Sequence, residues 1–114
     1  MRVAILDDYH RAYDGTRGVE RLRRRAEVQI FHGPFGDPSA LKGCDAVIAN
    51  RERTRFTRAL FEQLPDLRII AQPGNHVYHV DLEAAQARKI IVAKATGGGC
   101  TSAAELTIGL MLAV

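Results

Sequence analysis

The chain has 114 residues, 46% of them hydrophobic, with 16 lysines and arginines against 13 acidic residues and a net charge of +3. This is the size and balance of one globular domain with a single core. Two cysteines, Cys44 and Cys100, are too few for a disulfide framework and match no metal spacing, so a reducing cytoplasm is the expected setting.

The N-terminus, "MRVAILDDYH", runs straight into a strand-like segment without the long apolar region of a signal peptide. No apolar run approaches the ~20 residues of a membrane span, so the expected protein is soluble and free of a membrane. Residues 18–26, "GVERLRRRA", follow as a helix with Val19, Leu22 and Ala26 at helical spacing. Its arginines then point outward as a solvated face. No aromatic stacking set is interleaved with them, so nucleic acid is not the expected partner.

Next come "EVQIF" as a strand, "GPFGDPSALKG" at 33–43 as a turn-rich connection with at most a short helix, and "DAVIAN" as a strand. Residues 56–64, "FTRALFEQL", form a helix that Thr57 can cap and Pro65 stops. "LRIIAQ" is a fourth strand, residues 81–89 ("DLEAAQARK") a helix capped by Asp81, and "KIIVAKA" a fifth strand. Continuous apolar strands imply burial on both faces. The alternation predicts an α/β fold with a doubly wound parallel sheet of five strands, of flavodoxin-like order 2-1-3-4-5.

In such a sheet ligands collect at the carboxyl ends of the strands. Four segments meet there: "DDYHRAYDG", "NRERTRF", "QPGNHVYH" and "ATGGG". Asp7 and Asp8 resemble the acidic pair that binds magnesium in receiver domains, and Lys94 suits that reading. The phosphate-accepting aspartate is missing, however, because the third strand ends in Asn50, Arg51 and Glu52. The alternative for Asp7 and Asp8 is a solvated turn that caps the next element.

In the third-strand loop, arginine's planar fork suits a carboxylate, although a loop arginine is more often simply solvated. In the fourth-strand loop Gly74 permits close approach of a ligand, and the amides of Gly74, Asn75 and His76 can form an anion-binding concavity. His76 and His79 make a weak metal site on their own, and structural or rim roles are expected for both.

The segment "LPDLRIIAQPGNHVYHVDLEAAQARKIIVAKATGGGCTSAAELTIGLMLAV" resembles the D-isomer-specific 2-hydroxyacid dehydrogenases. "DLEAAQAR", a strand, a loop and "AELTIGLMLA" follow one another in that family's own order. "DAVIANRERTRF" resembles a branch with a similar Arg-Glu-Arg-Thr loop, so the resemblance covers about two-thirds of the chain.

The resemblance implies residues 1–100 as a substrate-binding, or "catalytic", domain. Residues 101–114 are then a protruding apolar helix towards a Rossmann domain. It implies hydride transfer between NAD or NADP and a 2-hydroxy or 2-oxo acid. Gly74, Asn75 and His76 would hold the substrate carboxylate through backbone amides, Arg51 and Glu52 would line the same cleft, and Asn75 would lie closest to the nicotinamide. The family's catalytic arginine, glutamate and histidine would fall after Val114, as would its dinucleotide fingerprint.

The 114 residues then represent a truncated chain or a separately encoded first half, inactive and without nucleotide binding when alone. In the family a further helix completes the sheet of this domain, so one covering element is expected to be missing. A stand-alone binding or regulatory module, such as a receiver domain, is the alternative.

Three positions depart from the pattern. His76 replaces a second glycine, Pro73 removes an amide donor, and Lys89 replaces the glycine that usually ends the preceding helix. In "GGGCTSA", Ser102 stands at the third glycine of a dinucleotide fingerprint. Gly97, Gly98 and Gly99 therefore read as a hinge, with Thr101 or Ser102 capping the last helix. From residue 103 onwards that helix has Glu105 as its only charge and no polar face. Self-association through it into a homo-oligomer is expected.

Overall fold

The computed structural model describes residues 1–96 and 100–113; the glycine run at 97–99 lies outside the described residues. Five strands, β1 (Arg2–Leu6), β2 (Glu27–Ile30), β3 (Ala46–Ala49), β4 (Ile69–Gln72) and β5 (Ile91–Lys94), form one parallel sheet of order β2-β1-β3-β4-β5. The helices are α1 (Arg17–Arg23), α2 (Arg58–Gln63), α3 (Leu82–Ala87) and α4 (Cys100–Leu112), with a 3₁₀ turn at Pro38–Leu41. The expected fold class and strand order are those observed, although every helix before α4 is shorter than its sequence pattern.

Capping explains where the helices start. Thr57 accepts from the Leu60 amide and Asp81 from the Ala84 amide, each satisfying a donor that the first turn leaves free. Thr16 does the same for the Val19 amide at α1. The arginines of α1 are exposed and Val19 is buried, as helical spacing requires.

The core lies on one face of the sheet. Ala4, Leu6, Val47, Ala49 and Ile70 point to this side and pack with Phe56, Leu60, Phe61 and Leu64 around α2 and with Ala84, Ala85 and Ile90 around α3. On the other face Val3, Ile5 and Val19 are buried apart from that cluster.

Burial on both faces fails at the edge strands. In β2 exposed and half-buried residues alternate, and in β5 Ile91 is 61% exposed beside Ile69 at 36%. At this end of the second face a cavity of about 390 Å³ opens among Met1, Ala46, Ile69, Lys89 and Ile91. Helix α4 stands clear of the sheet, exposed from Ala104 to Ala113. Thr101 and Ser102 lie in α4, but their side chains fall outside what is described.

Lys89 shows how α3 ends without a glycine. Its φ is 58°, the left-handed conformation that glycine normally supplies. The Lys89 amide donates to the Gln86 carbonyl and the Ile90 amide to the Ala85 carbonyl, which is the paired pattern of a Schellman cap. Left-handed backbone costs a non-glycine residue roughly 1–2 kcal/mol, and added freedom in the unfolded chain returns part of that on substitution by glycine. Lys89→Gly is therefore expected to stabilise the fold by roughly 0.5–1 kcal/mol. A raised midpoint in urea unfolding checks this, and a lowered midpoint contradicts it.

Candidate functional site

At the carboxyl edge of the sheet the β1 and β3 loops are locked together through Asp7. This residue has φ 56° and is 3% exposed. Its carboxylate Oδ2 accepts from Thr54 Oγ1 at 2.7 Å, and its carbonyl accepts from Asn50 Nδ2 at 3.1 Å and Arg53 Nη1 at 2.9 Å. The Arg53 guanidinium also lies 4.4 Å above the Tyr9 ring, a cation–π contact. Asp8 is fully buried, and its carboxylate accepts from the amides of Ala12 at 2.8 Å and Tyr13 at 3.2 Å.

The solvated turn expected for Asp7 and Asp8 is thus corrected. Both carboxylates are buried and engaged, Asp7 by Thr54 from 47 residues away and Asp8 by the amides of Ala12 and Tyr13. Neither caps α1, a role that belongs to Thr16.

Arg51, with φ 65°, is exposed and borders a cleft of about 310 Å³ with Asn50, Glu52, Gln72, Pro73 and Gly74. Three of the predicted residues, Arg51, Glu52 and Gly74, therefore line one cleft. Asn75 and His76 follow Gly74 on the same loop and are exposed. Burial pushes the Tyr13 hydroxyl pKa up and Asp8 adds to this, while the positive charge of Arg51 opposes it. The Arg51 charge therefore reaches the β1 loop as well.

Among the described residues, the amides of Gly74, Asn75 and His76 donate to no acceptor. Successive free amides are the elements of an anion-binding nest. A methyl group at position 74 would stand 3.2 Å from Gln72 Nε2, so glycine here keeps the backbone beside the cleft bare.

His79 is buried against Phe56 and Tyr78, whose ring centroids are 6.1 and 6.2 Å away. Neither ring nitrogen has a hydrogen-bond partner among the described residues. Burial lowers its pKa, with Glu52 pulling the other way, so the ring is neutral at pH 7. The two histidines therefore part company: His79 is a core residue and His76 lies on the exposed loop. Cys44 is a buried free thiol whose pKa burial raises.

Sequence reasoning missed Gln72, which is 3% exposed at the end of β4 with both carboxamide atoms unpartnered. The available signal was its spacing: it stands two residues after Ile70 and so faces the same side of the strand.

The family model for "D-isomer specific 2-hydroxyacid dehydrogenase, catalytic domain" matches residues 3–109. The chain belongs to this family. As a 2-hydroxyacid dehydrogenase catalytic domain it is 32% identical over 114 residues to D-3-phosphoglycerate dehydrogenase of Methanocaldococcus jannaschii, covering 99% of this chain and 21% of that protein. The phosphoglycerate oxidoreductase of Vibrio cholerae superposes with a TM-score of 0.83 at 32% identity, covering 99% of this chain and 36% of that one. The NAD-dependent formate dehydrogenase of Staphylococcus aureus, solved in complex with NAD, gives 0.76 at 25% identity, with 98% and 38% covered. The chain thus spans about a fifth of the first relative's length and little more than a third of these structures. Membership of the 2-hydroxyacid dehydrogenases sets the receiver reading aside.

Proposed function

We propose that this chain is the substrate-binding lobe of an oxidoreductase that moves hydride between a nicotinamide cofactor, NAD or NADP, and a small 2-hydroxy or 2-oxo acid. The observation that carries this is the run of free amides at Gly74, Asn75 and His76 next to a cleft bordered by Arg51. Three successive free donors suit a carboxylate, and a nearby guanidinium adds charge without having to be buried. The complex of the Staphylococcus aureus relative with NAD supports the choice of cofactor class.

In this reading the loop amides hold the carboxylate and Arg51 draws the anion into the cleft. Carbon 2 of the acid then faces outward. The nicotinamide supplies or takes the hydride when bound. In this reading Asn75, exposed on the loop, meets it, and an exposed carboxamide offers both a donor and an acceptor. Residues 1–100 then form the binding lobe, and 101–114 lead towards that domain.

The test is a titration of the labelled chain with glycolate, followed through the backbone amide signals in NMR. The amides of Gly74, Asn75 and His76 are expected to shift with a Kd of roughly millimolar order, and Arg51→Gln is expected to weaken binding several-fold. NADH alone should leave the spectrum unchanged. Shifts confined to other loops, or tight binding of NADH, would overturn the assignment.

Helix α4 enters as a connecting arm. Leu106, Ile108, Leu110, Met111 and Leu112 are each more than half exposed, a surface that a second copy of the chain can bury. Sedimentation at micromolar concentration is expected to show a dimer or larger species, and a clean monomer would contradict this.

A further inference from the structure

We infer that Gln72 selects the acid, its carboxamide reading a hydroxyl group of the bound molecule from the wall of the cleft. The inference rests on the function proposed above and extends it to specificity. Gln72 is 3% exposed, lines the cleft with Asn50, Arg51, Glu52, Pro73 and Gly74, and has neither Nε2 nor Oε1 hydrogen-bonded among the described residues. A buried amide with both ends unmet is costly and rare, and each instance calls for a physical reason.

Its neighbours do not supply that reason. Asn50, the other carboxamide of the cleft, is committed to the Asp7 carbonyl. Ile70, on the same side of β4, lies in the apolar core, where a methionine would serve better than a glutamine. Glycine at 74 is the third observation, because any side chain there would crowd Nε2 at 3.2 Å. The sequence thus keeps a polar group at this place and keeps the adjoining backbone bare.

The chemistry of the carboxamide narrows what it meets. Nε2 donates and Oε1 accepts, so its complement both accepts and donates. A carboxylate only accepts and would press its charge against Oε1. A hydroxyl does both. The two atoms are closed off from solvent. The terminal torsion of glutamine is broad, so turning the amide towards the cleft is a small motion. The loop amides then hold the carboxylate end while Gln72 discriminates by the hydroxyl it finds, since a site built for a hydroxyl rejects analogues that lack it.

Glycerate and propionate, two three-carbon carboxylates with and without hydroxyls, test this against the full chain and Gln72→Met. In the unmodified chain glycerate should bind about tenfold more tightly than propionate. In Gln72→Met that preference should vanish with propionate affinity unchanged, and thermal stability without ligand should rise, because an unpaired buried amide is gone. A purely structural role for Gln72 would instead lower stability and leave the preference intact, which would overturn the inference. If propionate still shifts the amides of Gly74–His76 while the preference survives in the variant, this inference fails and the proposed function stands. If neither acid shifts those amides, both fail.

Discussion

The site depends on one residue, Asp7, placed where β1 ends. By turning left-handed it presents its carbonyl to Asn50 and Arg53 and its carboxylate to Thr54, three residues of the β3 loop. The left-handed turn costs on the order of 1–2 kcal/mol, less for aspartate than for most residues. A buried hydrogen bond to a charged group returns about 1.5–3 kcal/mol. The loop is thus held at both ends of its short span, and Arg51, itself at φ 65°, sits between the fixed points. An arginine on a free loop would sample many directions; here the backbone beneath it is set.

The polar groups at the carboxyl edge divide into two sets. On the side of β1 nearly everything is spent within the protein: both aspartates, Asn50, Arg53 and Thr54 have partners. On the side of β4 the amides of Gly74, Asn75 and His76 and the carboxamide of Gln72 have none among the described residues. Rigid support on one side and unmet donors on the other is the division a binding cleft needs, because its geometry must be fixed before the ligand arrives. His79 keeps its apolar neighbours, and burial lowers its pKa.

Much of the fold was legible in the sequence because its causes are local. The apolar runs set the strands, and Thr57 and Asp81 cap helices whose amides lie three residues ahead. Handedness then left few arrangements of a parallel sheet. Asp7 was misread because its partners, Thr54 among them, lie far away in sequence; Asp8 does meet local amides, those of Ala12 and Tyr13, and what the sequence hid there was its burial. Exposure of Ile91 escaped notice for a related reason: hydrophobicity marks a strand without saying whether both faces find cover. Lys89 shows a third limit, since a tertiary setting can hold lysine in a glycine conformation. Arg51, Glu52 and Gly74 were named from residue type, their place at strand ends and the family resemblance, and the cleft brings them together; Gln72 was hidden at the end of an apolar run.

The central claim is that the edge fixed by Asp7 holds a carboxylic acid between free amides and an unmet carboxamide. A crystal structure of the chain with glycerate bound tests this most directly. The account predicts the carboxylate on the amides of Gly74, Asn75 and His76, a hydroxyl within hydrogen-bond distance of Gln72, and the contacts of Asp7 with Asn50, Arg53 and Thr54 unchanged. Glycerate bound elsewhere with these amides bare, or a β3 loop released from Asp7 when the acid enters, would contradict it.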